Sequence, residues 1–105
     1  MIILNTESYL YKLNNLLGDL RGADVILREL EWRYGLASDI FYKLYTQGVL
    51  DTGENLADIV KWAGCYELRR NREQALHKLS LRWVKNLRQQ TQPENVILRP
   101  LQPVS

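Results

Sequence analysis

No proline precedes Pro93 in this chain, and cysteine and histidine occur once each. A single thiol, Cys65, excludes an intramolecular disulfide and any all-cysteine metal cluster. His77 follows Cys65 by about twelve residues, or ~18 Å along a helix, so the pair cannot form a nucleophile–base dyad. The lone imidazole has few carboxylates near it in sequence, so neither a metal centre nor a cofactor is expected. Long apolar runs are missing too: none approaches the ~20 residues that cross a bilayer. Met1-Ile2-Ile3-Leu4 is too short for a signal core and lacks a basic flank. These absences lead to the expectation of a cytoplasmic protein that does not touch membranes. No internal repeat is visible.

What is present is helical periodicity and a split in charge. A chain of 105 residues suits one domain with one modest core. Residues 1–60 carry five Lys/Arg against nine Asp/Glu, and residues 61–105 carry nine against three. Such a split favours folding one half onto the other or docking a charged partner. In residues 7–34, Leu10, Leu13, Leu16, Leu20, Ala23, Leu27, Leu30 and Tyr34 step by threes and fours, the period of an amphipathic helix. Thr6 is placed as its N-cap and Gly35 as its C′ residue. Gly18 and Gly22 each cost ~1 kcal/mol in a helix interior, so either the helix breaks there or something packs closely against it; one helix with a weak point is expected.

Ser38 is read as the cap of a short helix over residues 39–46, closed by Gly48. Asn55 and Asp58 resemble a capping box opening a final helix, Leu56 to Gln90. Its stripe runs Leu56, Ile59, Ala63, Tyr66, then Leu68, Ala75, Leu76, Leu79, Trp83, Leu87, with a kink expected near Gly64 or in the Arg-rich stretch. Residues 91–105, with three prolines, suit an extended or disordered tail on a helical domain of residues 1–90. The fold expected is all-α: a long-helix hairpin with a short connecting helix, assembled as a dimeric bundle. Cys65 is expected to be a buried free thiol, and Trp62, Tyr66, Trp83 and Trp32 to be core or dimer interface.

Three patterns could carry function. Arg69, Arg72, Lys78, Arg82, Lys85 and Arg88 recur at three- and four-residue steps and could track nucleic acid; the acidic first helix is the competing, internal counterpart, with Asp24 and Arg72 expected to pair across the hairpin. Leu30, Tyr34, Leu36, Phe41 and Leu44 follow a helix-turn-helix-like spacing. Glu31 stands where that motif wants a small residue, however, and the second helix offers only Lys43 to phosphates, so a packing corner is expected there.

The third pattern runs from Arg70 to His77 and looks like the Arg-x(4–6)-His signature of HEPN ribonucleases; the resemblance implies an RNase using Arg70 and His77 to stabilise a phosphate and move a proton. Against it stands a solvated basic face. Residues 29–67 resemble small helical prokaryotic proteins that accompany RNase-type toxins in two-gene toxin–antitoxin modules. The shared features are Tyr34-Gly35, Ser38 with Phe41, Gly48-Val49-Leu50, and Asp58-x-x-x-Trp62-Ala63-x-x-Tyr66-Glu67. This chain departs at Leu36-Ala37 and in its basic extension and tail. The resemblance implies an antitoxin-like, non-enzymatic subunit that restrains a partner protein. Trp62, Tyr66, Arg69, Arg70, Arg72, Arg82 and Trp83 are the expected partner-binding residues, with a small nucleic-acid-binding regulator as a further alternative.

Overall fold

In the computed structural model, residues 6–51, 53–90 and 95–101 are described. They form three helices: α1 (Thr6–Tyr34), α2 (Ser38–Gln47) and α3 (Leu56–Gln90). Among the described residues the fold is all-α. The two long helices, α1 and α3, pack as an antiparallel hairpin, and α2 lies across one end. The longest dimension is 58 Å, close to the ~52 Å of a helix the length of α3. A radius of gyration of 18.7 Å compares with ~13 Å for a compact domain of this length.

The chain punctuation behaves as the glycines require. Gly35 and Gly48 both take φ of 70°, the left-handed conformation that ends helices and that L side chains resist. α1 is unbroken through Gly18 and Gly22, yet neither glycine admits a close neighbour: a Cβ at either position would meet nothing within 4 Å. Their cost to the helix is therefore uncompensated within one chain. α3 is likewise continuous as a helix through Gly64 and the Arg-rich stretch.

The hairpin seam has coiled-coil spacing. Steps of three and four alternate along α1 through Tyr9, Leu13, Leu16, Leu20, Ala23, Leu27, Leu30 and Tyr34, and along α3 through Asp58, Trp62, Cys65, Arg69, Arg72, Leu76, Leu79, Trp83 and Asn86; every one of these is buried or half-buried. That 3.5-residue repeat keeps two helices in contact over a long distance. Cys65 is half-buried in this seam, less enclosed than expected. The α3 seam differs from the stripe expected for it because four of its positions are polar. Register is fixed by cross-pairs: Tyr9 stacks on Trp83 at 4.5 Å, Arg72 Nε donates to Asp19 Oδ2 at 2.8 Å, Arg69 Nη1 lies 3.5 Å from Asp24 Oδ1, and Arg33 donates to Asp58 at 2.9 Å. Arg72 thus pairs with Asp19, and Asp24 belongs to Arg69, one helical turn away from the expected partner.

The dense core sits at the three-helix end. Leu27, Leu30, Phe41, Ile59, Trp62 and Ala63 form it, with Tyr34, Leu36, Leu50 and Tyr66 packed around them. Ser38 does not cap α2 through its side chain. The N-cap position is Ala37, without a side-chain cap, and Glu31 performs the task from α1: its Oε2 accepts the Ser38 backbone N–H at 3.0 Å and the Ser38 hydroxyl at 2.7 Å. The same hydroxyl accepts the Trp62 indole N–H at 2.9 Å. This is why the helix corner holds a glutamate where a helix-turn-helix wants a small residue. Asp58, expected in a capping box with Asn55, instead receives the Tyr34 hydroxyl and Arg33, tying the start of α3 to the end of α1.

Beyond α3, residues 95–101 carry no helix or strand; Val96 is half-buried while Ile97, Leu98 and Leu101 are exposed. The remainder of residues 91–105, expected to be an extended or disordered tail, lies outside the described residues.

Candidate interaction surface

The seven expected partner-binding residues divide into five environments. Trp62 is 2% exposed, face to face with Phe41 at 3.9 Å and 6°. It is monomer core and is not available to a partner, because α2 folds over it and Ser38 takes its N–H. Arg69 and Arg72 are engaged inside the hairpin by Asp24, Glu73 and Asp19. Asp24 Oδ1 is shut off from solvent with no hydrogen bond; Arg69 at 3.5 Å and Arg28 at 3.8 Å hold it by charge alone. Trp83 is a seam residue stacked on Tyr9. Arg82 is exposed on the flank of α3 away from α2.

Tyr66 and Arg70 share one accessible surface, and Arg69 reaches the same concavity beside α2. Tyr66 packs on Tyr42 of α2 at 4.8 Å, and the Arg70 guanidinium lies 5.9 Å and 6.0 Å from the two ring centres, at the limit of cation–π range. Tyr42 also donates to Glu67 at 2.9 Å. The α2 side of the hairpin therefore presents an aromatic pair crowned by an arginine.

Arg70 and His77 lie on one side of α3 and line the same concavity, together with Glu73, Gln74 and Lys78. All five come from a single helix, so the concavity is an open groove between side chains. Arg70 is held over tyrosines, and no second element supplies a group opposite His77 in that lining. Among the described residues, no group of three or more His, Cys, Asp or Glu could hold a metal ion, and no helix is long and apolar enough to cross a membrane.

Two carboxylates at the three-helix end have lowered pKa values. Burial alone would raise the Glu31 carboxyl, but hydrogen bonds from Arg28 and from the Ser38 hydroxyl and backbone outweigh it. Asp58 is lowered by the Tyr34 hydroxyl and then by Arg33. Both are structural anions that tie α1 to its neighbours, and neither is poised to exchange protons near neutral pH.

The surface that the leucine pattern hid is the outer face of α1. Tyr11, Val25 and Trp32 are 71%, 68% and 89% exposed. With Gly18 they fall at seven-residue intervals, so they line one face opposite the seam. Trp32, expected in core or interface, has no core role in the single chain. The signal for this face was in the sequence as a second heptad, overshadowed by the more regular leucines. Compared with known protein families, curated proteins and solved structures, the chain matches none.

Proposed function

We propose that this protein is a non-enzymatic interaction subunit that binds and restrains a partner protein, as an antitoxin-like component of a two-gene module would, and that it works as a homodimer. The observation that carries the reading is the exposed stripe Tyr11–Gly18–Val25–Trp32 on the outer face of α1. Aromatic side chains are the usual anchors of protein interfaces, and three large apolar groups aligned on one helix face are costly to leave in water. The accessible surface of 8079 Å² exceeds the ~6,100 Å² of a compact monomer of this mass. That excess is more than the ~800 Å² that a standard interface removes from one partner. A second chain laid along this stripe can approach closely at Gly18 and Gly22, where no side chain stands in the way.

The test is co-expression with the product of the adjacent gene. A complex of fixed stoichiometry in which the partner's activity is suppressed is expected, with no RNA cleavage by the purified chain. The alternative favoured by a specific observation is ribonuclease action by Arg70 and His77, which share one groove. RNA cleavage that vanishes in His77→Ala would overturn the interaction reading.

A further inference from the structure

We infer that the open flank of the hairpin, on the side where α2 sits, is the seat for an acidic amphipathic helix of a partner protein, lying along the hairpin beyond α2. The inference rests on the reading of the chain as an interaction subunit and gives that reading a location and a partner chemistry.

α2 already shows what this flank accepts. In the head it seats a helix by Glu31 to Ser38, Trp62 to Ser38, and Tyr42 on Tyr66. But α2 has 10 residues, about 15 Å of length, on a molecule 58 Å long. Seven-residue steps continue the same flank down the hairpin. On α1 they lead from Glu31 through Asp24 to Leu17 and Leu10; on α3 they lead from Tyr66 through Glu73 to Ser80 and Leu87, and from Arg70 through His77 to Val84. Leu10, Leu17, Ser80, Val84 and Leu87 are all half-buried. The floor beyond α2 is thus mostly apolar and only partly covered, the form of a groove that takes the apolar face of a helix.

The rim selects charge. Arg21 and Arg28 rise from α1, and Arg70 and Lys78 from α3; among the described residues Arg21, Arg70 and Lys78 make no ion pair. From residue 74 to residue 90 the chain has no acid. Complementary potential steers encounter and sets partner choice, so the incoming helix carries Asp and Glu beside its apolar stripe. A second copy would bring its own basic α3 against this one. A nucleic acid would satisfy the rim but leave the leucine and valine floor uncovered.

The probe is a pair of helical peptides with leucines at i, i+3, i+4 and i+7, one with glutamates at the remaining positions and one with lysines. Binding to the full chain is read by fluorescence anisotropy. The glutamate peptide is expected to bind and the lysine peptide to fail. Val84→Asp and the exposed-residue double variant Arg21→Glu/Lys78→Glu are each expected to weaken the glutamate peptide about tenfold or more, while Trp32→Ala leaves it unchanged. Circular dichroism checks Val84→Asp for folding, and the double variant stands whether or not Val84→Asp folds. Equal binding of both peptides, indifference to the double variant, displacement by a DNA duplex, or a change in the chain's own sedimentation on Val84→Asp would each overturn the placement. A natural partner complex that forms and survives the double variant overturns only this seat; failure to form any complex overturns the interaction reading itself.

Discussion

The two ends of the hairpin are built from the same two helices but held by different physics. At the head, three helices surround Trp62, Phe41 and Leu27, the largest side chains almost wholly buried, and a carboxylate–hydroxyl–indole chain satisfies the polar groups there. In the arm, residues 6–22 and 72–90, only two helices meet. There the buried positions are few: Tyr9, Leu79 and Asn86. Two helices bury one stripe each and leave two flanks open, so the arm cannot close a core alone. Asn86 makes the contrast sharper, because its Nδ2 is buried without a hydrogen-bond partner. A polar group in such a seam costs stability and fixes register. The dense packing resides at the head, and the arm is the more open of the two.

The strongest way to break this comparison is to empty each core in turn. Trp62→Ala should cost about 3–5 kcal/mol, removing the stack on Phe41 and leaving the Ser38 hydroxyl without its donor. Urea denaturation should show global unfolding at much lower denaturant. Leu79→Ala should cost about 2–3 kcal/mol, less because the two-helix arm can collapse towards the gap. Native-state hydrogen exchange should show arm amides opening at lower free energy than those of residues 58–66. Equal costs and uniform protection would mean that the arm is as well packed as the head.

Glu31→Gln comes next, at about 1.5–3 kcal/mol, since it weakens the cap on α2 and the link to Arg28. It should also change the pH profile. The Glu31 carboxyl is lowered in the folded chain, so its stabilisation is complete above the unfolded value of about 4.3 and is lost as pH falls through the lower folded value. Thermal melts of the parent should therefore decline towards acid more steeply than those of Glu31→Gln. Asp58→Asn should flatten the same limb, because Asp58 is lowered as well.

The head was also the more legible end in sequence. Gly35 and Gly48 marked their helix ends, and the leucine period of α1 located its seam. What could not be read was the use of polar residues. Ser38 and Glu31 looked like a cap and a misfit; folding made them one unit with Trp62, which depends on a helix that follows Glu31 by more than twenty positions. Trp32 and Trp62 looked alike, each a tryptophan on a helix, and only α2 decided which was covered. Along α3, Arg69, Arg72 and Asn86 occupy seam positions, so an apolar stripe drawn along that helix drifts off the seam.

A smaller effect separates the arm's own stability from its availability. Gly18→Ala should raise the stability of the single chain by about 1 kcal/mol, because the added methyl meets nothing. If a second copy packs there, the same methyl intrudes on the contact, and sedimentation should show a weaker dimer even as the melting temperature rises at low concentration. Trp32→Ala should leave the monomer's melt nearly unchanged while weakening the dimer. A dimer indifferent to both substitutions would place self-association elsewhere.

The smallest effect tests the register of the arm. Arg72 and Asp19 are 39% and 48% exposed, so water screens them, and their coupling should be about 0.2–1 kcal/mol. Its partner specificity matters more than its size. Asp19→Arg and Arg72→Asp should each lower the melting temperature at low salt, and the double exchange should recover most of the loss. Asp24→Arg combined with Arg72→Asp should recover none, because Asp24 faces Arg69 one turn away. Recovery in the second pair and not the first would shift the arm by one helical turn relative to the head. That would also displace Leu17 and Val84 from opposite walls of the flank that α2 leaves open.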